Sequence, residues 1–377
     1  MTATLTLALD AMGGDHAPEM VVKGAAAILP RFPQVRFLLF GDAEQIEPLL
    51  RKYPTLRDRA ELRHTADRVH SEDKPSQALR RGRNSSMRLA IDAVAKGEAQ
   101  AVVSAGNTGA LMAMAKFVLR TLPGIERPAL ASFFPTLKGE TVMLDLGANV
   151  ECDSRNLVQF AVMGANLAHS ALGRHRPRVG LLNVGVEELK GNDAVRGAAE
   201  LLRAVQNPPF EFVGFVEGDD ITKGEVDVIV TDGFTGNVAL KTAEGTAKLM
   251  GTLMRAAFQR SILTKLGYLL AYSGLAMLKA RIDPRFYNGG VMLGLNGIAV
   301  KSHGGTDEVG FAAALEVAID MANDRLIERI RADFSGAFAE ALTNPPPSIA
   351  GPGSSSISSN GKDAVSEPVK IAVAEVP

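Results

Sequence analysis

A single cysteine, Cys152, is present in 377 residues, so no disulfide framework can form within the chain, and a reducing compartment is expected. Cys-His clusters with metal-ligand spacing are absent, and no metal is expected. An excess of charge is missing too: 41 basic side chains face 42 acidic ones, a formal net charge of −1. No global field draws such a chain to nucleic acid, and attraction for an acidic partner must be local. No stretch of about 18–20 residues is free of charge and Gly in the way a spanning helix requires. The chain passes directly into an apolar strand and an acidic, Gly-rich turn, without the basic start and apolar core of a signal peptide. A cytoplasmic protein is the expectation. Neither G-x-x-x-x-G-K-[ST] nor a strand-linked G-x-G-x-x-G occurs, so the nucleotide-binding templates do not fit and no cofactor is expected. Repeats at solenoid periods are absent.

What is present is a globular composition, 46% hydrophobic and 22% charged, arranged in a regular alternation. Apolar runs at 5–9, 35–40, 101–103, 142–144, 179–182 and 226–230 end in Gly, Asp or Asn, and most lead into helical patterns. Buried β-runs alternating with helices predict an α/β fold with parallel strands and helices on both faces. In such sheets ligands sit beyond the carboxyl ends of the strands, which places all the polar Gly-rich turns at one edge. Two regions break the pattern. The segment 235–282 is helical throughout, with interruptions expected at Gly267 and Gly274. From about 342 to 377, Pro, Ser, Gly and Lys dominate, which predicts a disordered tail beyond a 1–341 domain.

Two turns share one chemistry: Gly106-Asn107-Thr108-Gly109 and Gly233-Phe234-Thr235-Gly236-Asn237. Each follows an apolar strand and opens a helix, where glycines admit an anion to backbone N–H groups and the helix N-terminus adds positive potential. Either alone reads equally as a capped turn; the pair favours a phosphate or acyl-phosphate site. Asp10-Ala11-Met12-Gly13-Gly14-Asp15 carries two carboxylates around a tight turn, which could hold a cation, orient a neighbouring donor or cap the helix near Pro18; capping is the reading favoured for Asp15 taken alone. Lys190, in the loop after the 179–182 run, either neutralises a phosphate or is solvated. Lys301-Ser302-His303-Gly304-Gly305 brings an ammonium and an imidazole to one helix start, which suits anion binding and proton transfer. Cys152 reads as a small residue before a helix rather than a nucleophile, since no base can be assigned to it. Arg80, Arg81, Arg83 and Arg88 form the densest basic cluster. They are either a solvated face or a dock for an acidic carrier protein and the phosphate of its prosthetic arm. Ser261, Lys265, Tyr268, Tyr272, Ala276 and Lys279 make a narrow polar stripe on an apolar helical segment, which fits a dimer interface or an interfacial membrane helix.

These residues resemble a known family, the fatty acyl–acyl carrier protein:phosphate acyltransferases of bacterial phospholipid synthesis. The matching blocks are Asp10 to Asp15, Lys74-Pro75-Ser76 through Met87, Val103 to Met112, Leu144-Asp145-Leu146-Gly147-Ala148-Asn149, and Leu182-Asn183-Val184-Gly185 with Lys190-Gly191. Thr231 to Asn237, Tyr287-Asn288-Gly289-Gly290 and Val300 to Gly304 complete the set. The resemblance implies a three-layer α/β/α fold of the phosphotransacetylase and isocitrate-dehydrogenase type with a protruding helical hairpin. It implies a homodimer, peripheral membrane contact near 261–279, and supply of acyl phosphate to a glycerol-3-phosphate acyltransferase. Phosphate is already nucleophilic at neutral pH, so the site must chiefly hold two anions and stabilise an oxyanion. The catalytic candidates are then Lys190, Asn237 and His303. The substrate- and phosphate-binding candidates are Asp15, Ser104, Asn107, Thr108, Asp232, Thr235 and Lys301. Direct attack, without an acyl-enzyme on Cys152, is the expected course. A dehydrogenase on the related fold and a non-catalytic membrane scaffold are the competing classes.

Overall fold

A computed structural model describes residues 5–335 apart from 284, 286 and 287, and without the side chains of 279, 280 and 282. The 342–377 tail, Tyr287 and the side chain of Lys279 therefore lie outside the described residues. Among the described residues eleven strands form one sheet: β1 (Thr6–Asp10), β2 (Arg36–Gly41), β3 (Ala60–His64), β4 (Ala101–Ser104), β5 (Ala129–Thr136), β6 (Gly139–Leu144), β7 (Arg178–Leu182), β8 (Glu211–Val216), β9 (Val228–Val230), β10 (Gly290–Leu293) and β11 (Ile298–Lys301). Their order is β3-β2-β1-β4-β11-β10-β5-β6-β9-β7-β8. The helices are α1 (Glu19–Ile28), α2 (Ala43–Leu50), α3 (Pro54–Arg57), α4 (Pro75–Arg81), α5 (Ser86–Ala95), α6 (Thr108–Leu119), α7 (Ser154–Leu172), α8 (Asp193–Ala204), α9 (Gly233–Gln259), α10 (Ile262–Ile282), α11 (Glu308–Asn323) and α12 (Leu326–Phe334).

Alternate strand residues face opposite layers, as the two-residue period of a strand demands. Leu7 and Leu9 join the core under α1, α7 and α11, while Ala8 joins the one under α5 and α6. A third cluster, around Met143, Leu182, Val216 and Ile229, is covered by Ala239 and Leu240 of α9. Both faces of the sheet are thus buried, and the three layers follow from strands that are apolar on both sides.

The sheet is not uniformly parallel, and this corrects the single-edge expectation. β3, β2, β1, β4 and β11 run parallel, as do β6, β9, β7 and β8. Between them, β11–β10, β10–β5 and β5–β6 are all antiparallel. One lateral row joins Leu9, Val103, Val300, Val291, Ala131, Leu144, Val230 and Leu181. From that row the chain continues to Asp10, Ser104 and Lys301 in one direction, and to Asp145, Thr231 and Leu182 in the other. The odd number of reversals separates the polar turns into two groups. Local hydrophobic periodicity carries no information on strand direction, which is why the sequence pattern missed it.

The helical segment also breaks elsewhere than expected. Gly267 and Gly274 lie inside α10, and the interruption falls at Arg260 and Ser261. Ser261 is the N-cap of α10, its hydroxyl accepting from the Thr264 N–H at 3.1 Å. Being a cap, it sits at the turn rather than along the polar stripe. α9 and α10 project from the body with Leu249, Leu253, Ile262, Leu263, Leu269, Leu270 and Met277 more than half exposed.

Candidate active site

Two buried carboxylates, one in each half of the sheet, organise the polar turns. Asp10, at the end of β1, is 1% exposed. Its Oδ1 accepts from Ser86 Oγ and its Oδ2 from Ser104 Oγ, both at 2.6 Å. Burial raises its pKa, opposed by these hydrogen bonds and by the charge of Lys301. Ser104 in turn accepts the Gly106 N–H at 3.0 Å. A hydroxyl bound on both sides is a structural strut, so the structure gives Ser104 to Asp10 rather than to a ligand. Gly13 packs so closely here that a Cβ would lie 2.4 Å from Asp10 Oδ2 and 2.8 Å from the Gly106 nitrogen.

Asp145, at the end of β6, is fully buried. Its carboxylate accepts from the backbone N–H groups of Leu130, Gly147, Ala148 and Asn149 and from the Asn149 amide, at 2.7–3.2 Å. Desolvation still raises its pKa against that set of donors. The first turn of α9 rests directly on this loop. A Cβ on Gly236 would sit 1.9 Å from the Asp145 carbonyl oxygen, and one on Gly233 2.6 Å from the Asn149 oxygen. Cys152 lies beside the same carboxylate, and burial together with the Asp145 charge pushes its thiol up to about 12. At neutral pH it is a thiol, not a thiolate.

The two Gly-rich turns differ in what they leave free. Asn107 caps α6, its Oδ1 accepting from the Ala110 N–H at 3.0 Å. Its Nδ2 donates to the backbone oxygens of His70, Ser71 and Asp73 at 3.4, 2.8 and 3.0 Å. Both ends of the amide are therefore committed to holding a loop. Thr108 is exposed in the first turn of α6. In the second turn, Asp232 caps α9 by accepting the Thr235 N–H and hydroxyl, each at 2.8 Å, so those two polar groups are engaged with each other. Asn237 remains exposed, its side chain lying over Gly147, whose hypothetical Cβ would be 3.6–3.7 Å away.

Asp15 does not cap α1. Pro18 occupies the N-cap with no side-chain hydrogen bond. Asp15 instead donates its N–H to Gly304 at 2.9 Å, and its carboxylate faces Gly304 and Gly305. That ties the β1 turn to the β11 turn, where Lys301 and His303 stand. The Lys301 ammonium donates to the backbone oxygen of Ser302 and faces that of Ala105. Burial lowers its pKa to about 8; Asp10 and Asp15 raise it and Lys241 lowers it further. Asn288 braces this turn: its Oδ1 accepts the His303 N–H at 2.9 Å and its Nδ2 donates to Ser302 Oγ at 2.8 Å. His303 Nδ1 accepts the Gly305 N–H at 3.3 Å, which leaves the ring proton of the neutral form on Nε2. Partial burial of the ring depresses its pKa, with Lys301, Lys241 and Lys248 adding to the effect and Glu244 opposing it.

Lys241, Glu244 and Lys248 stand outside every motif of the sequence. Asn237, Lys241, Glu244 and Lys248 recur at spacings of four, three and four, one face of a helix. α9 starts on the Asp145 loop, and Lys241, Glu244 and Lys248 act on the charge of His303, so that this face links the two groups of turns the strand reversal had separated. The helical spacing was the available signal. Lys190 stays on the other side, exposed in the loop after β7, where its carbonyl accepts from the Asn183 amide at 3.2 Å. Arg80, Arg81 and Arg83 are exposed near α4. Arg88 leaves that cluster, because its guanidinium pairs with Asp92 at 2.9 Å and lies over the Phe117 ring.

The close seat of α9 is testable. Gly236→Ala is expected to destabilise the protein by about 1–3 kcal/mol or more, the usual cost of overpacking. Gly245→Ala, where a Cβ meets nothing within 4 Å, is expected to be neutral or to stabilise by up to about 1 kcal/mol. Chemical denaturation of both variants reads the contrast; equal stabilities would contradict the described packing.

Residues 5–329 match the family described as "Fatty acid synthesis protein". The phosphate acyltransferase of Rhodospirillum centenum is 62% identical over 335 residues, covering 89% of this chain and 94% of that one. The phosphate acyltransferase of Paramagnetospirillum magneticum is 59% identical over 334 residues, covering 89% and 95%. A solved phosphotransacetylase from Streptococcus pyogenes matches with a TM-score of 0.59 at 16% identity, over 86% of this chain and 95% of that one, which shows a common fold.

Proposed function

This chain belongs to the "Fatty acid synthesis protein" family alongside the phosphate acyltransferases, and from that premise we propose that it transfers a long-chain fatty acyl group from acyl carrier protein to inorganic phosphate. The product, acyl phosphate, is consumed by a glycerol-3-phosphate acyltransferase on the way to phosphatidic acid. Family membership sets aside the dehydrogenase and scaffold readings. The observation that carries the site assignment is the gathering of Lys301, Lys241 and Lys248 around His303, a positive locus at the end of β11 that an anion would relieve.

In this reading, phosphate is held at Lys301 and Lys241, with the exposed Thr108 at the rim. A phosphate oxygen attacks the thioester carbonyl carbon, and the carbonyl electrons move onto oxygen. One helical turn, about 6 Å, separates Asn237 from Lys241. The Asn237 amide is therefore placed to donate to the developing oxyanion while phosphate stays on the lysines. As the oxyanion collapses, the carbon–sulfur bond breaks and the thiolate leaves; it accepts a hydrogen bond from the neutral His303 Nε2–H and takes up the proton that the attacking hydrogen phosphate gives up. Lys190, from the β7 loop, supplies positive charge from the far side. Asp15, Ser104, Asn107, Asp232 and Thr235 act by holding the turns in place rather than by touching substrate. Cys152, kept as a thiol, takes no part.

The remaining assignments rest on exposed surfaces. Arg80, Arg81 and Arg83 offer positive charge to the acidic carrier protein. The residues 1–341 make one acyltransferase domain. Among the described residues no helix is long and apolar enough to cross a membrane. The bared leucines of α9 and α10 support a homodimer interface and, near the turn at Ser261, peripheral contact with a bilayer.

Incubation with palmitoyl–acyl carrier protein, with and without phosphate, tests the reaction. Free carrier thiol and a hydroxylamine-trapped acyl product should appear only when phosphate is present; thiol release without phosphate would mean hydrolysis instead. Asn237→Ala is expected to lower kcat by about 100-fold, as loss of an oxyanion donor does, while Cys152→Ala stays within about twofold of the parent, a mild change reflecting packing only. Collapse of turnover in a folded Cys152→Ala enzyme would point to an acyl-enzyme.

The pH dependence has a definite sign. Lys301 is cationic below about 8 and neutral above it, so the KM for phosphate should rise as pH increases through that value. Lys301→Met should show a high KM at every pH and no inflection there. For the hairpin, Ile262→Lys with Leu263→Lys should abolish cosedimentation with anionic vesicles while acyl transfer in solution persists; unchanged vesicle binding would move the contact elsewhere.

A further inference from the structure

Beside the candidate active site, a cavity of about 420 Å³ lies between the 66–73 loop and α4. Its lining includes Arg68, His70, Gln77 and Arg81, with Asp67 and Asp73. Neither Arg68 nor Arg81 has a hydrogen bond or ion pair among the described residues. Many other arginines are engaged, such as Arg63 with Glu61 and Glu98, Arg196 with Asp193, and Arg203 with Glu188. The Asp73 carboxylate is turned into its own loop, where Oδ2 accepts the His70 N–H at 2.8 Å. The cavity therefore presents two unpaired guanidiniums and one imidazole against a single free carboxylate, that of Asp67.

The walls are held rigidly to the catalytic turns. Asn107 grips the loop through three backbone oxygens, and Gly109 approaches α4 so closely that a Cβ would be 2.7 Å from Pro75 Cγ. Thr65 Oγ1 donates to the Asn84 oxygen at 2.6 Å, and Ser86 donates its N–H to the Asp67 oxygen at 3.0 Å. Ser86 is also a partner of the buried Asp10. The cavity walls are thus fastened to the turns around Asp10, at the Lys301 end of the candidate site.

We propose that this cavity, through Arg68 and Arg81, binds the phosphate group of the phosphopantetheine arm that carries the acyl thioester. Paired guanidiniums are suited to the planar, bidentate recognition of a phosphate oxyanion. The assignment rests on the acyl-transfer reading for the identity of the arm. It is separate from the site for inorganic phosphate at Lys301, and within the basic surface it narrows the role of Arg81 to the arm, leaving Arg80 and Arg83 to the acidic carrier protein.

The test is binding of the free arm, which needs no turnover. Titration calorimetry with 4′-phosphopantetheine and with pantetheine, which lacks the phosphate, should show the phosphorylated form binding the full-length protein about tenfold or more tightly. Arg68→Ala with Arg81→Ala should abolish that preference and leave pantetheine binding unchanged. Arg80→Ala with Arg83→Ala, which alters the same surface outside the cavity, should retain most of it. Equal binding of the two arms by the parent, absence of binding by either, or retention of the preference in the Arg68/Arg81 variant would overturn the proposal. Equal losses in the two double variants would do so as well, since they would mean a diffuse field. Thermal melts of both variants check that the fold is kept. If the arm binds as expected and the hydroxylamine assay shows no acyl product, the acyl-transfer reading fails and the cavity assignment stands. If acyl product forms but the arms bind alike, the reverse holds.

Discussion

The antiparallel seam of β11, β10, β5 and β6 is the constraint from which the candidate site follows. Three successive reversals turn one half of the sheet against the other, so strands that would share a carboxyl edge in a uniformly parallel sheet deliver their turns in opposite directions. α9 starts on the Asp145 loop, where Gly233 and Gly236 are seated, and carries Lys241, Glu244 and Lys248 to where their charges act on His303. The seam and the helix together put Asn237, over the Asp145 loop, and Lys241, which acts on His303, on one helix face.

Each group of turns is set by a buried carboxylate bonded to protein donors. Taking an unpaired carboxylate out of water costs several kcal/mol at least, and both sites meet that cost with converging donors. At Asp10 these are two serine hydroxyls from α5 and β4; at Asp145 they are four backbone N–H groups and one amide. The consequence is precision in the neighbouring loops, because removing any donor leaves a buried charge short of a partner. Burial depresses Lys301 and raises Cys152 at the same time. It thus leaves the site with a titratable cation near physiological pH and without a thiolate. Both fit an acyl transfer by direct attack of an anionic nucleophile.

Several polar residues that resemble ligands in the sequence serve as fastenings in the fold. Asn107 spends its whole amide on a helix cap and a loop, Asp232 and Thr235 bind each other, and Asp15 bridges two turns. Arg88, in sequence a member of the basic cluster, turns toward Asp92 and Phe117. Conversely Lys241 reads in sequence as one solvated helical lysine among others. Its importance comes from where α9 ends up, although its four-residue spacing from Asn237 was visible beforehand.

The local physics was legible from the sequence alone. Apolar runs with terminal Gly and Asp predicted most of the strands and the turns that end them, because burial on both faces and glycine at close approaches are requirements of the individual segment. The ordered blocks carried the family resemblance, and Lys301 with His303 could be paired because three positions in a turn cannot be far apart. Strand direction, the β5 and β10 strands of the seam, and the break at Ser261 instead of Gly267 were decided only by tertiary structure. So were the meeting of Lys241 with His303 and the consumption of Asn107. Lateral hydrogen-bond register and helix seating depend on residues tens to nearly two hundred positions apart, and no local periodicity records which of them will meet.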